Sequence, residues 1–239
     1  MKVVYNADNP ATWNLFSSET VVVSCDIGFA RDYSVLTLLG LWRGAVGPVI
    51  GVVEVKRLPL GCTPDEVVNA ALEMARPYDA KIIWDASNQS AMGQLFATRI
   101  GRKVAEKVFA ASITAATEHA ESPGQLPVTA VDMRVMLPKL SLSKRELCET
   151  VDQMMRSGQL RIGRSDTSDW QVLVDELTQM ERRETAAGRI SYSAPDRDDA
   201  HDDAIMSLAI GVALINRIGG TTRRKIRPRR EKPGPRAWT

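Results

Sequence analysis

Short β-branched runs alternate with amphipathic stretches along the chain, and this alternation sets the expected fold. "TVVVSCDIG" (20–28), "YSVLTLLGLW" (33–42) and "PVIGVVEVKRL" (48–58) read as three successive strands joined by the short turns "FARD" and "RGAVG", because β-branched residues suit a buried, pleated surface. Thr63-Pro64-Asp65-Glu66 combines capping-box spacing with proline at the first helical position, which predicts a helix through Met74. "AKIIWDAS" (80–87) is a fourth strand, "SAMGQLFATRI" (90–100) a helix and "KVFAASITA" (107–115) a fifth strand. A second capping box, Ser143-Lys144-Arg145-Glu146, predicts a helix to about Met155 that Gly158 stops. "QLRIG" (159–163) is short and extended, Ser168-Asp169-Trp170-Gln171 opens a helix to about Arg183, and "GRISYSA" (188–194) leads extended into "DRDDAHDD" (196–203). A last apolar helix follows. This order of elements implies a mixed sheet with helices packed on its faces.

Composition adds bounds to that picture. With 239 residues, 44% of them hydrophobic, the chain can bury a sizeable core in one main domain. Cys25, Cys62 and Cys148 are too few and too scattered for a disulfide framework or a CxxC metal site, so reduced thiols and a cytosolic setting are expected. The opening residues lack a signal-peptide pattern, and the longest apolar run, Ala204 to Ile215, falls short of the about 20 residues a membrane span needs. The expectation is a soluble, cytoplasmic protein (host cytoplasm if viral) without a membrane partner.

Charge divides the chain. Residues 223–239 hold eight of the 31 basic residues and one of the 29 acidic ones, leaving 23 against 28 elsewhere. The expected organisation is an N-terminal arm (1–19), a domain (20–218) and a basic, disordered tail (219–239), since the tail has almost nothing to bury.

The acids carry the candidate chemistry. Asp26 closes the first strand, Asp85 closes "KIIWD", and Asp202 and Asp203 stand at the N-terminus of the last helix. If the two strands are parallel neighbours, their carboxyl ends lie about 5 Å apart and face the crevice where open α/β sheets bind ligands. Carboxylates that close repel one another unless a cation sits between them. Magnesium or manganese suits such an oxygen-only set, and two ions about 4 Å apart would clamp the attacking water and leaving 3′ oxygen of a phosphodiester cleavage. Each acid also has an ordinary reading. Asp202 and Asp203 suit a helix N-terminus, Asp26 and Asp32 suit turns, Asp85 suits a helix cap, and His201 suits a surface or supporting position.

"VVSCDIGFARDYSVLTLLG", "IIWDASNQSAMGQLF", "KRELCETVDQMMRSGQLRIG" and "HDDAIMSLAIG" together resemble the C-terminal nuclease domain of the large terminase subunit of tailed bacteriophages, in the right order from about residue 20 to residue 216. The resemblance implies an α/β, ribonuclease-H-like fold with a five-stranded mixed sheet flanked by helices. It also implies a two-metal site (Mg²⁺ or Mn²⁺) that cuts concatemeric double-stranded DNA during genome packaging. Carried over by position, Asp26, Asp85 and Asp203 are the catalytic, metal-binding acids, Asp202 is the alternative third ligand, and His201 and Asp32 are auxiliary.

Two departures from the family pattern stand out. Met206 and Ser207 occupy the places of the second aspartate and the alanine in "HDDxxDAL", and no GxxxxGK[ST] phosphate loop of a packaging ATPase is present. Either the motor is encoded separately, or this chain is an excised domain, or the protein is a stand-alone nuclease; the implied partners are DNA and, in the first case, a separate packaging ATPase with a small terminase subunit and a portal. Arg223, Arg224, Lys225, Arg227, Arg229 and Arg230 are candidates for phosphate contact, or for docking on an acidic partner. A Holliday-junction resolvase-like endonuclease and an inert ribonuclease-H-like DNA-binding scaffold are the alternative readings.

Overall fold

β1 (Thr20–Asp26) is buried on both faces at every interior position, as expected of a continuous β-branched run in the middle of a sheet. Its neighbours are β2 (Val35–Gly44), antiparallel, and β4 (Lys81–Asp85), parallel. Beyond β2 lie β3 (Gly47–Arg57), antiparallel, and the short β8 (Leu160–Ile162), parallel to β3. Beyond β4 come β5 (Val108–Thr114) and β7 (Met133–Ser143), both parallel, and β6 (Gly124–Ala130), antiparallel at the far edge. The sheet order is β6-β7-β5-β4-β1-β2-β3-β8. The computed structural model describes residues 14–28, 32–44, 47–87, 90–114, 124–163, 167–184, 190–195 and 201–221.

Period-two burial sorts side chains between two cores. Val21, Val23 and Cys25 of β1 pack with α1 (Pro64–Ala75), α2 (Ser90–Ile100) and α3 (Val104–Lys107). Val22, Leu39 of β2 and Ile83 of β4 pack on the other face with α4 (Lys144–Arg156), α5 (Ser168–Gln179) and α6 (Asp203–Thr221). The α1 capping box forms as the spacing predicts, with Thr63 and Glu66 exchanging hydrogen bonds and Pro64 in the first turn.

α6 lies close on β1 and β2. A Cβ at Gly211 would stand 2.3 Å from Leu39 Cδ1 and 2.6 Å from Ser24 Oγ, so only glycine lets the helix approach this far. Ser207 Oγ donates to the Ser24 carbonyl (3.0 Å) and shares a hydrogen bond with Thr37 Oγ1 (3.0 Å). These buried hydroxyls are satisfied and hold the helix in register over the strands.

The structure corrects several expectations. The sheet has eight strands where five were expected. The β6–β7 hairpin had no sequence signal, because its two-residue turn is Val131-Asp132, both at positive φ (49° and 62°), a turn normally marked by Asn-Gly. Pro127 sits in edge strand β6, and Pro138 precedes Lys139, where pairing of β7 with β5 begins, so both tolerate the missing N–H. "QLRIG" adds β8 to the opposite edge. Ser143 makes no side-chain capping hydrogen bond. α5 ends at Gln179, short of Arg183, and Glu181–Glu184 (β9) pairs with Ile190–Ser193 (β10) in a separate hairpin. Residues 1–13 of the expected arm and 222–239 of the expected tail lie outside the described residues, and α6 runs on through Thr221.

Candidate active site

β1 and β4 run parallel with Cys25 opposite Trp84, so Asp26 and Asp85 come next at the same carboxyl edge. Alternation from Val22 and Ser24 places Asp26 on the α6 face, and alternation from Ile83 does the same for Asp85. Asp85 Oδ1 accepts hydrogen bonds from Ser87 N (2.8 Å) and Ser87 Oγ (2.6 Å), which orients the carboxylate in a local turn. Asp26 Oδ1 accepts from Ile27 N (3.1 Å). The loop beyond it is tight, since a Cβ on Gly28 would stand 2.3 Å from the Asp32 carbonyl oxygen.

α6 begins at Asp203 and brings the third group of acids to this edge. Asp203 Oδ2 accepts from Tyr33 N (3.2 Å), with His201 Nδ1 4.0 Å away. Asp202 turns instead to Lys144, the first residue of α4, whose Nζ lies 2.6 Å from Asp202 Oδ2. The Tyr33 ring meets His201 edge-on and carries the Arg57 guanidinium 4.2 Å from its centre.

Neither Asp202 nor Asp203 caps its own helix. Glu176 of α5, only 8% exposed, performs that role, its Oε2 accepting from Ala204 N (2.8 Å) and Ile205 N (3.0 Å). Capping by their own side chains therefore does not account for these two acids. Asp202 and Asp203 serve other partners while a third carboxylate satisfies the first-turn amides.

The electrostatics report crowding. Burial, followed by the charges of Asp203, Asp85 and Asp202, holds the Asp26 carboxyl well above the usual carboxylate range. Burial lifts Asp203 to about 6, opposed by the Tyr33 N–H and His201, with Asp32 and Asp202 adding to the rise. Burial lifts Glu176 to about 7 against the two amides it accepts from. Among the described residues, no three histidine, cysteine or acidic side chains close on one point at ligating distance. The donor set of Asp26, Asp85 and Asp203 is all oxygen and mutually repulsive, which suits a hard divalent cation.

The structure thus gathers Asp26, Asp85, Asp202, Asp203 and His201 at one edge, with exposed Asp32 near enough to act on Asp203. Asp196, Asp198, Asp199 and the basic residues Arg223, Arg224, Lys225, Arg227, Arg229 and Arg230 lie outside the described residues. Sequence reasoning missed Lys144, Tyr33, Arg57 and Glu176 as participants. A signal existed for Glu176, since it follows Leu173 by one helical turn beside the buried stripe of Trp170, Leu173, Val174 and Leu177.

This chain has the ribonuclease-H-like fold of large terminase nuclease domains. The large terminase nuclease of thermophilic phage G20c aligns with a TM-score of 0.52 at 20% identity over 81% of each chain. A structure of that nuclease with bound magnesium aligns at 0.51 and 19%, over 81% of this chain and 80% of its own. The terminase nuclease domain of human cytomegalovirus aligns at 0.55 and 12%, over 90% of this chain and 92% of its own. The nuclease domain of the large terminase subunit of bacterial virus Sf6 gives 0.52 and 14%, over 84% and 90%. No protein-family model and no curated protein matches the chain by sequence. Among the described residues no helix is long and apolar enough to cross a membrane.

Proposed function

We propose that this chain is a divalent-metal-dependent DNA endonuclease, the nuclease part of a large terminase subunit that cuts concatemeric viral DNA during packaging. The observation that carries the reading is the crowding of Asp203, Asp85 and Asp202 around Asp26 at one sheet edge, while Glu176 relieves Asp202 of helix capping. The fold shared with the terminase nucleases, one of them solved with magnesium, supports it.

In this reading Asp26, Asp85 and Asp203 would hold two Mg²⁺ or Mn²⁺ ions, which when bound supply charge to the attacking water and the leaving oxygen. Asp202 is the less favoured third ligand because Lys144 already engages it. Met206 of α6 packs its thioether side chain into the core, and it brings no oxygen donor where the related pattern has an aspartate. His201 and Asp32 bias the charge of Asp203 in opposite directions. The DNA-contact role of residues 223–230 is part of the same proposal, as are a separate packaging ATPase, a small terminase subunit and a portal as partners.

The test is cleavage of plasmid DNA by the full chain with Mg²⁺, Mn²⁺ or EDTA. Metal-dependent nicking and linearisation with little sequence preference are expected. A protein that binds no Mn²⁺ by calorimetry and cuts neither linear nor plasmid DNA would sink the reading. Preferential cutting of four-way junctions would replace it with a resolvase.

A further inference from the structure

Among the described residues Glu176 is the one buried carboxylate on the α4/α5/α6 face, and its partners are backbone amides of another helix. The first i to i+4 bond of α6 runs from Met206 N to the Asp202 carbonyl (2.9 Å), so the amides of Ala204 and Ile205 have no partner inside the helix. In most helices the residue at the start supplies the missing acceptor through its own short polar side chain. Asp202, whose carbonyl accepts that first bond, stands at this position with a suitable side chain, and Asp203 follows it as the first helical residue. Here both point elsewhere, Asp202 to Lys144 and Asp203 to Tyr33 N.

We infer that Glu176 is a positioning residue: by accepting from the first-turn amides of α6 it fixes the helix start so that Asp203 faces Asp26 and Asp85 as a cation ligand. The inference rests on the nuclease reading of the site. Without Glu176 the two amides would draw the carboxylate of Asp202, the residue at the cap position, into ordinary helix capping and away from Lys144. The helix start would then turn and carry Asp203 out of place while the helix itself remained. A glutamine at 176 retains a carbonyl oxygen in the same place and should preserve the arrangement.

Three measurements on the full chain test this. Mn²⁺ binding is followed by calorimetry without DNA, exchange of the Ala204 and Ile205 amides by NMR, and stability by thermal melting. Glu176→Ala should weaken Mn²⁺ binding by about 10- to 100-fold, the cost of losing a group that orients a ligand, and should speed exchange at both amides. Glu176→Gln should restore both to within about threefold of wild type, well inside that range. Leu173→Ala, which empties part of the same helix interface but leaves Glu176 in place, serves as the control for stability. Mn²⁺ binding unchanged in Glu176→Ala, or weakened equally by Leu173→Ala, would overturn the positioning role. Unchanged exchange at Ala204 and Ile205 would overturn it as well. Wild-type protein that neither binds Mn²⁺ nor cuts DNA overturns the nuclease reading itself, and the exchange measurement then still decides whether Glu176 holds the helix start.

Discussion

Asp202 and Asp203 are adjacent in the chain but face different partners, and substitution should separate them. Asp26→Asn, Asp85→Asn and Asp203→Asn are each expected to abolish metal-dependent cleavage while leaving the melting temperature near or above that of wild type, because they remove crowded charge. Asp202→Asn breaks an ion pair beside the site and is expected to cost about 10- to 100-fold, as supporting groups of metal sites do. Full activity in Asp203→Asn together with complete loss in Asp202→Asn would exchange their roles. The raised carboxyls also predict a pH dependence. Asp203, up to about 6, and Glu176, up to about 7, bind protons more tightly in the folded chain than in the unfolded one. Their stabilising contribution is therefore fully present below about pH 4, near the unfolded values, and is lost as pH rises through 6 and 7. In EDTA, the melting temperature of wild type relative to Glu176→Gln or Asp203→Asn should fall across this window. Saturating Mn²⁺ should flatten the trend by favouring the ionised forms, and a relative rise with pH in EDTA would contradict the assignment.

At the scale of elements, legibility followed local chemistry. α1 was readable because Thr63, Pro64 and Glu66 form its N-terminus within four residues, and β1 and β4 because buried β-branched runs have few other uses. The β6–β7 hairpin was not, since Val131 and Asp132 carry no turn signature and prolines interrupt both strands. Strand pairing on either side dictates that turn, and valine is ill suited to it. Left-handed backbone costs a non-glycine residue about 1 to 2 kcal/mol, and asparagine bears it more easily. Val131→Asn is therefore expected to stabilise the fold by about 1 kcal/mol, read as a higher urea midpoint with an unchanged slope. A lower midpoint would show that exposed Val131 contributes a contact that offsets its strain.

For the whole molecule, the uneven charge is the property that bears most on DNA. The chain to residue 222 is acidic on balance, and residues 223–239 carry eight basic groups, so removal of 222–239 is expected to weaken DNA binding and reduce the slope of log affinity against log salt, because fewer counterions are released. Titration of wild type and truncated protein at several salt concentrations reads this directly, and an unchanged slope would assign the basic segment to an acidic protein partner. What the sequence determined by itself was a set of strands ending in acids and an apolar helix starting with them, because burial periodicity and strand ends are properties of a few neighbouring residues. It also carried the order of motifs that resembles terminase nucleases. Only the tertiary structure decided what each acid touches: Tyr33 lies 170 positions from Asp203, Lys144 58 from Asp202, and Glu176 28 from the amide it caps. A periodic pattern says which face of an element is buried, but only the packing of α4, α5 and α6 on the sheet brings particular side chains within hydrogen-bonding distance.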